Sequence, residues 1–452
     1  MPRSSRRPAG SLTAGDLAPV LALLKKGNAS VAAAFPGETG DRQPVHTVYG
    51  GAHLFRSDTT RKLGTAARSV LDEYAPDAAT FARALGLQPA KLAGTIRARV
   101  VEKLRDDPVE DFRIDFEDGY GNRPDAEEDG HAQTAAEEVA KGLGAGTLPP
   151  FIGIRIKPMS RELHTRSLRT LDLFVTTLAR ASRQRLPANF VITIPKLMTP
   201  AHVSAVARAC DTLERRLSLR PAGVLKLELM IETPQSILAP DGSSALRALV
   251  DAGRGRVTGA HFGTYDYTAL CGITASWQHM CHGACDFAKH MMQVALAQTG
   301  VRLSDGATNI MPVPPHRPAA TDAQRRENRE VVHHAWKTHF DDVTHSLVNA
   351  FYQGWDLYPA QLPTRYAALY AFFLSARPAA TARLRNFVEK AAQATLVGDV
   401  FDDAATGQGL LNFFVRGLNS GALTLDEARE TGLTPEELQA RSFLKILEAR
   451  RQ

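Results

Sequence analysis

Cysteine is scarce: four (Cys210, Cys271, Cys281, Cys285) in 452 residues. That is too few for a disulfide framework in so long a chain, and a reducing cytoplasm is the expected home. Long apolar runs are missing too. The basic start MPRSSRRPAG is followed only by the short run Val20–Leu24, so neither a secretory leader nor a membrane span is expected. No G-x-x-x-x-G-K-[ST] occurs, which disfavours a P-loop kinase. Gly142, Gly144 and Gly146 precede a strand instead of following one, the wrong context for a dinucleotide loop. The net charge is +6 with pI near 9.1, yet no lysine-rich run with interleaved aromatics appears. Nucleic acid is therefore not the expected partner, and a small anionic substrate suits the excess as well.

What remains is an ordinary globular balance, 44% hydrophobic and 23% charged. Residues 1–44 read as a loosely held arm with one short helix, Ala18–Lys26. From Val45 onward strand and helix patterns alternate. Strands are expected at Val45–Gly51, Arg113–Asp118, Phe151–Ile156, Phe190–Ile194, Val224–Ile231, Val257–Phe262, Thr308–Val313 and Gly354–Tyr358. Helices fall between them. One is Ala90–Arg105, with Leu92, Ile96, Val100 and Leu104 at four-residue steps, and another is the long Asp322–Tyr352. Strands apolar enough for burial on both faces imply a parallel sheet. About eight of them favour a (β/α)8 TIM barrel over an open doubly wound sheet. The barrel is assigned to residues 45–375. Residues 376–452 read as a helical C-terminal extension without strands.

In such a barrel the active site lies at the C-terminal ends of the strands. Those ends hold Glu117 and Asp118, Arg155, Lys196, Glu232, Asp266 and Asp356. The key stretch is Arg113-Ile-Asp-Phe-Glu-Asp-Gly119, which sets Asp115, Glu117 and Asp118 where a strand enters a loop. Buried charge there needs a hard cation, an arginine or a catalytic task; the plain alternative is a solvated acidic loop. Glu232 and Asp266 fit one divalent cation, because magnesium usually takes one or two carboxylates and keeps open positions. Arg155 suits a substrate carboxylate gripped with two nitrogens. Metal, carboxylate and arginine together suit an enolate-forming reaction. The competing reading of Glu232 and Asp266 is a buried ion pair with Arg155 or Lys196. Cys281, His282 and Cys285 lack standard zinc spacing and read as a helix start with buried cysteines. His333, His334, His339 and His345 read as packing or surface groups.

Four motifs, Ile114-Asp-Phe-Glu-Asp, Gly153-Ile-Arg-Ile, Met230-Ile-Glu-Thr and Phe262-Gly-Thr-Tyr-Asp-Tyr-Thr, with Leu357-Tyr-Pro-Ala-Gln, carry a resemblance. The chain resembles the citrate lyase β-subunit and HpcH/HpaI aldolase family, related to malate synthase. The resemblance implies a TIM barrel using Mg2+, with Mn2+ as the alternative ion. It implies metal ligands Glu232 and Asp266, Arg155 on the keto-acid or thioester oxygen, and Glu117 and Asp118 bordering the metal. Lys196, Gly263 and Thr264 join the expected substrate-binding set. The keto-acid aldolases carry a histidine base where this chain has Asp118, so Asp118 matches the citrate-lyase-like branch. The expected activity is carbon–carbon cleavage of a small oxo-acid or an acyl-CoA thioester. A malate-synthase-like condensation, thioester hydrolysis and a non-enzymatic binding protein are the alternatives, and a homo-oligomer is expected.

Overall fold

The computed structural model describes residues 11–37, 41–88, 90–389, 395–397, 400–402, 404–440 and 442–450. The run at 1–10 lies outside them. Helix α1 (Ala14–Ala34) is longer than the expected Ala18–Lys26 because Thr13 and Asp16 form a capping box at its start. None of its residues is buried.

Strand β1 (His46–Gly51) opens the barrel, followed by α2 (Thr59–Tyr74), α3 (Ala78–Leu85), α4 (Ala93–Asp106) and β2 (Asp111–Asp115). Next come α5 (Asp125–Ala145), β3 (Phe151–Arg155), α6 (His164–Ala181), β4 (Phe190–Ile194), α7 (Pro200–Leu217) and β5 (Lys226–Ile231). The short α8 (Pro234–Ile237) and α9 (Ala245–Ala252) lead to β6 (Val257–Phe262), α10 (Thr264–Leu270) and α11 (Gly283–Leu296). Strand β7 (Arg302–Ser304), α12 (Asp322–Val348) and β8 (Gly354–Asp356) complete it. The strands pair in parallel in the order β7-β6-β5-β4-β3-β2-β1-β8. A parallel bridge between Ala307 and Trp355 joins the two ends. There Asp305 N donates to Gln353 O (2.8 Å) and Trp355 N to Gly306 O (3.0 Å). The result is a TIM barrel with additional helices.

The seventh strand corrects the expectation of Thr308–Val313. That stretch is loop, with Ile310 and Val313 exposed. Pro312 within it has no N–H for a ladder. The true strand is three residues, too short to show a period. The short α3 was also missed.

Helix α13 (Leu362–Glu389) runs without a break across the 375/376 division expected from composition. Beyond it the region is not purely helical: β9 (Thr395–Val397) and β10 (Val400–Asp402) form an antiparallel pair. Then follow α14 (Ala404–Asn419), α15 (Leu425–Arg429), α16 (Pro435–Ala440) and α17 (Phe443–Arg450). These pack back on the barrel. Arg99 of α4 donates to Ala422 O and Glu427, both at 2.7 Å. No helix among the described residues is long and apolar enough to cross a membrane, and all four cysteines are free.

The lower barrel interior is filled by charge where such barrels usually stack branched apolar side chains. Arg113 bonds Asp111 (2.9 and 2.7 Å) and Glu228 (3.1 and 2.7 Å). Thr193 donates to Glu228 (2.9 Å) and His261 Nε2 lies 2.8 Å from it. With its partners made inside the fold, this layer forms a rigid polar floor for what lies above.

Candidate active site

Above that floor, at the C-terminal ends of the strands, lies a cavity of about 400 Å3. Its wall includes Asp115, Asp118, Arg155, Glu232, Gly263, Thr264 and Asp266, together with Tyr49, Tyr265, Ala307, Trp355 and Leu357. Strand β2 ends in Asp115. Its carboxylate caps the turn that follows, accepting from Glu117 N (3.0 Å) and Gly119 N (2.7 Å). The same carboxylate takes Arg155 Nε at 2.7 Å and Nη2 at 2.5 Å. Arg155 ends β3, directly beside Asp115 in the register. Its remaining Nη1 faces Glu117 Oε2 at 3.0 Å and Asp118 Oδ2 at 3.6 Å. The guanidinium also lies 4.8 Å over the Tyr49 ring.

Lys196 knits the second half of the site. It follows β4 with φ of +50°, a left-handed conformation costly for a residue with a Cβ. That backbone aims its N–H at Glu232 Oε1, 2.6 Å away. Its ammonium group binds Glu117 and lies 3.4 Å from oxygens of Asp118 and Asp266. Glu232 follows β5 and is buried, and Gly263 after β6 packs against it. A Cβ on Gly263 would sit 2.5 Å from Glu232 Cβ, so this crossing excludes a side chain. A Cβ on Gly306 would likewise meet Thr264 Oγ1 at 2.3 Å.

The electrostatics follow from burial and neighbours. Burial pushes the Glu232 carboxyl up to about 8; Lys196 opposes this and Asp266 adds to it. Burial also raises Glu117, against the pull of Arg155. Asp118 goes the other way. Burial would raise it, but hydrogen bonding with Glu117 and the charges of Arg155 and Lys196 outweigh that and hold it low. The environments of two adjacent carboxyls thus push them in opposite directions, Glu117 up and Asp118 down.

Asp115, Glu117, Asp118, Glu232 and Asp266, five carboxyls, surround two cations, Arg155 and Lys196. This donor set fits a hard divalent ion, and a buried carboxyl left at about 8 is one that lacks positive charge. Glu232 and Asp266, both flanking Lys196, are the oxygens that could hold it. Among the described residues no three His, Cys, Asp or Glu form a ready metal cage. Thr264 Oγ1 is buried without a hydrogen-bond partner among the described residues and lines the same wall.

Every expected site residue therefore reaches one place except Asp356. That residue is turned outward, bonded to His46 (2.7 Å), His339 (3.0 Å) and Arg365 (3.0 Å). His339 is a packing group of that network. His282 caps α11 through Ala284 N (3.1 Å). Cys285 is buried but Cys281 is exposed, so only half of the expected buried pair is found. The residues that sequence reasoning missed are apolar: Tyr49, Tyr265, Trp355 and Ala307. Tyr49 was recoverable, because Thr47, Tyr49 and Gly51 share one face of β1. Trp355 was not, since β8 is only three residues long.

Solved structures with this fold include a citrate lyase from Burkholderia xenovorans LB400. It is 18% identical with a TM-score of 0.56, over 89% of this chain and 100% of that one. The protein CitE of Mycobacterium tuberculosis, crystallised with magnesium, acetoacetate and coenzyme A, is 13% identical with a TM-score of 0.46, over 85% and 100%. The magnesium–glyoxylate complex of Haloferax volcanii malate synthase is 14% identical with a TM-score of 0.46, over 91% and 97%. The likeness to the citrate lyase is one of fold. No curated protein sequence matches the chain. A family model does match, over residues 24–446, and the chain belongs to that family, described as a domain of unknown function (DUF6986).

Proposed function

We propose that this chain is a divalent-cation-dependent carbon–carbon lyase acting on a small oxo-acid or an acyl-CoA thioester. The observation that supports it most is the excess of carboxyls over cations around one cavity at the strand ends. Glu232 and Asp266 hold Mg2+, or Mn2+, in this reading. Bound there, the ion supplies Lewis-acid stabilisation of negative charge developing on a carbonyl oxygen.

The chain's own groups supply the rest. Arg155 has one edge committed to Asp115, so an anionic substrate group would meet it at Nη1, in competition with Glu117 and Asp118. A two-nitrogen grip on substrate would require Asp115 to let go. Thr264 Oγ1, buried and unbonded, donates to a substrate oxygen. Asp118, ionised and the more exposed of the acid pair, takes up or returns the proton, and Glu117 and Lys196 hold it in position. Gly263, lacking a side chain, leaves the Glu232 carboxyl its place.

The test is cleavage of a panel of oxo-acids and their CoA thioesters by chelator-stripped enzyme with and without Mg2+. Turnover that needs Mg2+ and is lost in Glu232→Gln supports the lyase. Dependence on the CoA moiety decides between the two substrate classes. Turnover indifferent to chelation and to Glu232→Gln contradicts the proposal.

A further inference from the structure

The acidic wall accounts for only one side of the cavity. On the other, Tyr49 of β1 and Trp355 of β8 stand together, ring centroids 4.7 Å apart and 37° between planes. Ala307, Tyr265 and Leu357 continue that wall. Its polar atoms are already bonded within the protein. Trp355 Nε1 donates to His261 Nδ1 (3.3 Å). Tyr265 Oη donates to Ala307 O (2.8 Å) and accepts from Asn309 N (3.0 Å). Tyr49 Oη points to Met230 Sδ (3.8 Å), down toward the floor. The rings thus face the cavity with carbon. A hydroxylated or charged chain laid there would give up its bonds to water and find none in return. The cavity's volume is about 400 Å3. A three-carbon acid on the acidic wall leaves the aromatic side uncovered.

We infer that the substrate is an oxo-acid with an aryl or branched alkyl end, its reacting end on the acidic wall and its apolar end packed on Tyr49, Trp355 and Leu357. This rests on the lyase reading of that wall. The geometry separates two jobs: Arg155 sits where they meet, one face on the Tyr49 ring and its edge on the carboxylates. Aliphatic truncation of the shelf therefore changes which substrate is preferred.

The experiment uses the full chain loaded with Mn2+ and measures, by calorimetry, binding of phenylpyruvate and of pyruvate. Covering a phenyl group on such a shelf is expected to give phenylpyruvate an advantage of about ten- to a hundredfold. In Trp355→Ala that ratio falls toward one. Leu357→Ala, at a partly exposed position, gives the same direction should the tryptophan variant fail to fold. Equal binding of the two acids, or a ratio that neither substitution changes, overturns the inference and leaves the lyase proposal standing. Binding of neither acid overturns the inference and the oxo-acid branch of the lyase proposal, whose thioester branch is decided by the Mg2+-dependent turnover described above.

Discussion

Arg155 and Asp115, neighbours at the ends of adjacent strands, meet edge to edge through two short bonds, Nε–Oδ1 at 2.7 Å and Nη2–Oδ2 at 2.5 Å. Both side chains are buried. Removing one partner strands the other's charge, together with that of Glu117. Arg155→Met is expected to cost about 3–5 kcal/mol in chemical denaturation. The double variant Asp115→Leu/Arg155→Met should cost clearly less than the sum of the two single changes. Additive costs would mean that the pair does not act as a unit.

Gly263 and Gly130 make a matched pair of substitutions. Gly263→Ala places a methyl 2.5 Å from Glu232 Cβ and 2.6 Å from its Oε2. It should weaken Mn2+ binding at least tenfold as read by electron paramagnetic resonance, with the helical circular dichroism retained. Gly130, in the middle of α5, has nothing within 4 Å of an added Cβ. Gly130→Ala should leave Mn2+ binding alone and stabilise the fold by about 0.5–1 kcal/mol. Equal effects on Mn2+ binding would separate Glu232 from the ion.

The Asp356 network sets an acid limit on stability. Burial would raise Asp356, but Arg365 and the hydrogen bonds with His339 and His46 outweigh it and hold it well below the usual carboxylate range. Burial lowers His339. For the aspartate, the stabilisation is present above the unfolded pKa near 3.9 and lost as pH falls below it. For the histidine, the unfolded chain takes up a proton near pH 6.5 that the fold refuses, so stability declines as pH drops below about 6.5. The network's own contribution to the denaturation midpoint should be flat near neutrality, fall below pH 6.5 and fall more steeply below about 4, on top of the opposite slope that the raised Glu232 carboxyl adds below about 8. His339→Gln should be less stable at pH 7 yet show a smaller slope between 6.5 and 4. An unchanged slope would show that His339 titrates no differently folded and unfolded.

How much of this was legible follows from how each signal is carried. Barrel strands announce themselves when five or six residues are apolar on both faces, as in Phe190–Ile194, and strand ends then place Glu117, Arg155, Lys196, Glu232 and Asp266. The three-residue β7 and β8 carry no period, so one was misplaced onto a proline-broken apolar run. The direction of a side chain was also hidden. Asp356 sits at a strand end like the others, but its residue in the pleat turns it to His46 and Arg365. Likewise nothing in the sequence shows that Asp115 occupies one edge of Arg155, because a contact between adjacent strands depends on register.

The most direct measurement is the anomalous difference map of crystals grown with Mn2+ and soaked with pyruvate. The account predicts one manganese peak within coordination distance of carboxylate oxygens of both Glu232 and Asp266, with pyruvate oxygens beside it. No peak there, or a manganese held elsewhere while Lys196 stays paired to both acids, would contradict it.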